Sequence, residues 1–151
     1  LTGCESDPPG RAPASEPAVA VADSVAGEVE AVYVPVYSHI FFRDSTRSVD
    51  LATTLSVRNT DPDAPIQIDA VRYYDSDGGL VREHLRRPIV LGPLASRSYV
   101  VEERDRTGGV GANFIVEWRG EGASPPVIEA VMISTASTQG ISFVSRGVAI
   151  Q

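Results

Sequence analysis

From Val29 to the C-terminus, apolar and polar positions alternate with a period of two, the mark of half-buried β-strands, and no helical period interrupts them. Val49, Leu51, Thr53, Leu55 and Val57 fall on one face and Asp50, Ala52, Thr54, Ser56 and Arg58 on the other. Asn59-Thr60-Asp61-Pro62-Asp63 then predicts a chain reversal, because Asx side chains and proline both favour turns. Ile66 and Ile68 share a phase that Val71 and Tyr73 do not, which a bulge near Ala70, or burial on both faces, would explain. Asp75-Ser76-Asp77-Gly78-Gly79 is the strongest turn signal in the chain, and Leu80–Leu85 should return from it as a hairpin. Val32–Phe42, Arg97–Glu102, Ala112–Arg119, Val127–Ser134 and Ile141–Ser145 complete the set, with Phe114, Val116 and Trp118 pointing inward. About eight short strands separated by turn signals predict an all-β, immunoglobulin-like antiparallel β-sandwich with Trp118 near its centre.

The first 27 residues do not share this pattern. Pro8, Pro9, Pro13 and Pro17 interrupt any helix, and residues 5–30 hold six carboxylates against Arg11 alone, although the whole chain carries only −7. Residues 5–27 therefore read as a disordered, acidic, Pro/Ala-rich linker ahead of a sandwich domain at 28–151. Residues 1–4, Leu-Thr-Gly-Cys, resemble the lipobox of bacterial lipoproteins, in which the cysteine is acylated and becomes the mature N-terminus. Cys4 is thus the expected lipidation site. Its acyl chains would hold the protein to a membrane, since each buried methylene contributes about 0.8 kcal/mol. Glu5 follows where an aspartate would resemble an inner-membrane retention signal, so the expected location is the periplasmic face of the outer membrane, with the inner membrane or cell surface as alternatives.

Composition narrows the chemistry. One cysteine, outside the domain, excludes intradomain disulfides and multi-thiolate metal sites. All 13 basic residues are arginine, and a chain without lysine has no Schiff-base amine, no Walker-type phosphate lysine and no Ser–Lys dyad. No basic stripe is present to bind nucleic acid. His39 and His84 match no zinc spacing, are expected on strand surfaces, and are not placed beside a serine nucleophile.

The densest polar segment is the connection Glu102–Asn113. Glu102, Glu103, Arg104 and Asp105 precede Gly108, Gly109 and Gly111, and Asn113 follows. Glycine allows positive φ and close backbone approach, so this connection is the candidate binding loop, able to cradle an anion or lie flat against a partner. Without GxGxxG spacing or a following helix it is not a dinucleotide site. Its carboxylates offer a divalent-cation alternative, although no EF-hand spacing is present.

Several segments together resemble the bacterial exported-protein family known as domain of unknown function 3124. They are Val32–Ser38, Leu55–Asp61, Tyr73–Ser76, Gly108–Trp118 and Gln139–Phe143. The resemblance implies export and brings no catalytic residues, because the family has no assigned activity. With no complete catalytic set and no cofactor motif, the expected function is a non-enzymatic, lipid-anchored cell-envelope module that binds a protein partner. The alternative is a ligand- or divalent-cation-binding protein that uses the Glu102–Asn113 loop.

Overall fold

The computed structural model describes residues 24–135 and 140–151. The proposed lipidation site at Cys4 and most of the linker lie outside the described residues. Within them the chain is all-β, with twelve strands: β1 Glu30–Pro35, β2 His39–Phe42, β3 Asp44–Asp50, β4 Ala52–Arg58, β5 Ile66–Tyr74, β6 Leu80–Glu83, β7 Ile89–Leu91, β8 Ser96–Val101, β9 Asn113–Arg119, β10 Val127–Ser134, β11 Ile141–Arg146 and β12 Val148–Ile150. One sheet runs β12-β1-β9-β5-β6, with β7 also on β5, and a second runs β11-β10-β4-β8. All pairings are antiparallel, and β2–β3 forms a separate hairpin.

The core lies between the two sheets and is built from the alternation. Leu55, Val57, Ala130, Met132, Val101, Val34, Phe114, Val116 and Trp118 are all buried. Each fully buried aliphatic or aromatic side chain contributes roughly 1.5–3 kcal/mol. The phase change in β5 is real: its pairing with β9 shifts between Ile68 and Ala70, so that Ile66, Ile68, Val71 and Tyr73 all face inward. β6 returns beside β5 as expected.

The strand count exceeds about eight for identifiable reasons. Beyond Pro35 the chain runs past the start of β9 at Asn113 and onto the connection that precedes it. Val36 N–H then donates to Ala112 O at 2.9 Å and Ser38 N–H to Gly109 O at 3.0 Å. The run Val32–Phe42 is therefore two strands. Val49–Val57 also divides, at Leu51, whose N–H donates to Ser38 O at 2.9 Å. At this junction β2 and β3 swing away from the sandwich. β7 and β12, three residues each, are too short to show a period.

Two devices fix the ends and corners. At one end, Asn59 is buried and its side-chain amide lies 2.8–3.2 Å from the carbonyls of Ala64, Leu91 and Gly92. The Asp61 carboxylate accepts from the backbone of Asp63, Ala64 and Ser124 at 2.9, 2.7 and 2.8 Å. The predicted turn is thus a knot joining three connections. The N–H groups of Ser124, Ala64 and Asp63 stabilise the ionised form and hold the Asp61 carboxyl at about 2. At one side, Gly147 turns β11 of one sheet into β12 of the other. A Cβ there would stand 2.5 Å from Val32 Cγ1 and 2.9 Å from Ile128 O, so only glycine fits the corner.

Two outcomes follow. Gly147→Ala should lower the urea-unfolding midpoint by the equivalent of about 1–3 kcal/mol, because the added methyl must push backbone aside. Because the Asp61 carboxyl is depressed in the native state, its contribution is complete above the ordinary carboxyl value of 3.8 and is lost as pH falls toward about 2. Thermal melts of wild type and Asp61→Asn should therefore differ most near neutral pH and converge in acid; a constant difference would refute the assignment.

Candidate functional site

The sandwich has two ends. Residues 24–27 reach the domain at the C-terminal end of β9, where Val25 N–H donates to Gln67 Oε1 at 3.0 Å and Glu121 N–H donates to Ala26 O at 2.8 Å. The Asn59–Asp61 knot is at this same end, with Leu94 N–H donating to Asp61 O at 3.1 Å. The Glu102–Asn113 connection and the β2–β3 hairpin are at the other, separated by the length of a seven-residue strand, roughly 20 Å.

At that far end the connection divides into two parts with different roles. The glycine part is a clamp. Ser76 donates to Gly108 O from both its N–H and its hydroxyl, each at 3.0 Å, and Gly111 N–H donates to Ser76 Oγ at 2.9 Å. The Ser38 hydroxyl and N–H both reach Gly109 O at 3.0 Å. Gly109 sits at φ 74°, and a Cβ on Gly108 would overlap the Tyr73 hydroxyl. Burial pushes that phenol up to about 12. The amides of Gly109 and Gly111 are both used internally, Gly109 N–H donating to Arg106 O at 3.2 Å, so neither of these two is open to cradle an anion. Asn113 is not in the loop at all; it opens β9, opposite Pro35 and Tyr74.

The charged part faces solvent. Glu102, Glu103 and Arg104 line an open groove of about 770 Å³ whose other wall is Phe42, Ser48, Val49 and Asp50 from the hairpin. Glu102 pairs with Arg104 at 2.7 Å, and Glu103 accepts from the Ser134 hydroxyl at 3.2 Å. Asp105 turns away: it accepts from the Thr107 hydroxyl, which lowers its pKa, and meets Arg82 at 3.3 Å. The three carboxylates therefore do not converge, and among the described residues no set of three histidine, cysteine or acidic side chains is placed to hold a metal.

The hairpin wall was not legible in the alternation. Phe41 and Phe42 are 53% and 42% exposed, beside a turn at Arg43 with φ 65°, and Asp44 accepts from Thr46 N–H and hydroxyl at 2.9 and 2.6 Å. Two adjacent aromatics cannot both face inward on one strand, and that was the available signal. Arg106 braces the hairpin through Asp50 at 3.0 Å and the Ser48 hydroxyl at 2.8 Å. His84 is half-buried rather than laid out on a strand surface: its ring lies 5.6 Å from those of both Tyr99 and Phe114, and burial, then the Arg82 charge, lowers its pKa.

A sequence profile of the family described as "Protein of unknown function (DUF3124)" matches residues 29–150. The chain belongs to this family. The DUF3124 segment coincides with the sandwich, β1 to β12. No curated protein matches the chain. Among solved structures, the crystal structure of Thermotoga maritima 1070 is similar at a TM-score of 0.51 and 12% identity, covering 84% of this chain and 96% of that one. At that identity the likeness speaks to fold alone, and it agrees with a β-sandwich for this DUF3124 member.

The two parts of the loop separate experimentally. Gly108→Ala should cost about 1–3 kcal/mol in chemical unfolding, because the methyl has no space beside Tyr73. Glu103→Gln should leave the unfolding midpoint nearly unchanged, since the amide oxygen can still accept from Ser134. Equal losses would place Glu103 in the clamp rather than in a free groove wall.

Proposed function

We propose that this protein is a lipid-anchored, non-enzymatic module of the bacterial cell envelope that docks a protein partner at the end bearing the β2–β3 hairpin. The observation that carries the reading is the groove between Phe42 and Glu102–Arg104, next to two solvent-exposed phenylalanines on a braced hairpin. Exposed aromatics beside a concave, mixed-polarity surface are typical of protein-binding anchors.

The anchor rests on the Leu1–Cys4 run and its resemblance to a lipobox. Its geometry supports the docking site, because the chain joins the domain at the opposite end from the groove. A linker leading from Cys4 to Ser24 would leave the aromatic hairpin free for a partner rather than pressed to the bilayer.

A photo-crosslinking amino acid at position 42, in the native host at native abundance, should capture one discrete protein species. The same reagent at Leu94, exposed at the opposite end, should not. Intact mass of the purified native protein should show acyl chains on Cys4. Absence of any adduct from position 42 removes the docking site, and an unmodified Cys4 removes the anchor.

A further inference from the structure

We infer that the groove recognises a cationic side chain, an arginine before a lysine, carried on an extended segment of the partner polypeptide. This inference rests on the docking reading above and specifies its chemistry. Three carboxylates and one guanidinium line the groove: Asp50, Glu102, Glu103 and Arg104. Two of the carboxylates are already matched within the protein, Glu102 by Arg104 and Asp50 by Arg106. Glu103 is different. It is half-buried, it accepts from the Ser134 hydroxyl, and no arginine or histidine among the described residues forms an ion pair with it.

A partly desolvated carboxylate without a counter-charge selects the occupant by charge. An anionic segment would meet the uncompensated Glu103, and a purely apolar one would bury it further without a counter-charge. A cation entering between Glu103 and the exposed ring of Phe42 gains the ion pair on one side and a cation–π contact on the other. Arginine suits this better than lysine, since its planar guanidinium can bond a carboxylate in fork geometry and stack on an aromatic face at once.

The full chain, labelled with ¹⁵N, is titrated with Ac-Ala-Val-Arg-Val-Ala-NH2 and with the same peptide carrying citrulline, which keeps the shape and removes the charge. Amide shifts at Ser48–Asp50 and Glu102–Arg104 are expected with the arginine peptide, with affinity about tenfold weaker for citrulline and falling as salt is raised. Glu103→Gln should reduce arginine-peptide affinity about tenfold, and Phe42→Leu should reduce it severalfold while leaving charge untouched. Equal binding of the two peptides, shifts confined to other surfaces, or insensitivity to Glu103→Gln would overturn the inference. If position 42 captures a partner while citrulline and arginine peptides bind alike, docking stands and cation recognition falls. Neither capture nor shifts would remove both.

Discussion

The backbone of residues 106–112 must lie flush against Ser38, Ser76 and Tyr73, and the end of the molecule that bears the groove is arranged by that contact. The two serines hold Gly108 and Gly109 carbonyls, and Val36 continues the contact to Ala112. Glycine is required because the approach leaves no volume for a Cβ on Gly108 and because Gly109 takes a positive φ. Fixing Ser38 also fixes Leu51, and the chain between them has nowhere to go except outward as the β2–β3 hairpin. The groove exists because the glycine clamp holds one wall and this departure supplies the other.

The same logic assigns roles to the segments through which the chain resembles its family. Ser38 and Ser76 hold the clamp, Tyr73 backs it, and Asn59 and Asp61 tie the opposite end of the sandwich. Gly108–Trp118 provides both the clamp and the central strand of the larger sheet. These residues keep a disulfide-free sandwich closed by backbone hydrogen bonds and packing. The groove-lining residues Phe42, Glu103 and Arg104 make none of these contacts, so the groove lining and the frame are carried by separate positions.

Charge is distributed to match. The outer face of the larger sheet carries Arg72 between Glu83 and Glu117, and Arg119 against Asp69 at 2.8 Å. Such partly exposed pairs contribute little to stability individually but keep that face well solvated. The outer face of the smaller sheet is poorer in charge, with Val100, Ile133 and Val144 exposed around the Glu129 contacts to Arg58 and Arg146. Cations on both faces are therefore matched internally. The half-buried, unmatched carboxylate at Glu103 stands apart from them.

Much of the frame could be read along the chain. Period-two alternation identified the strands of the core and their inward residues, the phase change located the β5 bulge, and the Asp-Ser-Asp-Gly-Gly turn located the β5–β6 hairpin, because each is a local property of successive residues. The breaks at Pro35–Ser38 and Leu51 are not readable along the chain, since the first arises from hydrogen bonds to a connection about seventy residues away in sequence and the second from a bond to Ser38, itself held by that connection. For the same reason the glycine-rich connection reads along the chain as one loop, whereas contacts with Ser38 and Ser76 divide it into a clamp and a groove wall. Strand periodicity, inward faces and the chemical groups available are local properties of successive residues and can be read from their order alone. Which groups meet is a property of the folded chain, because it depends on where two distant backbones approach closely enough to exclude a side chain.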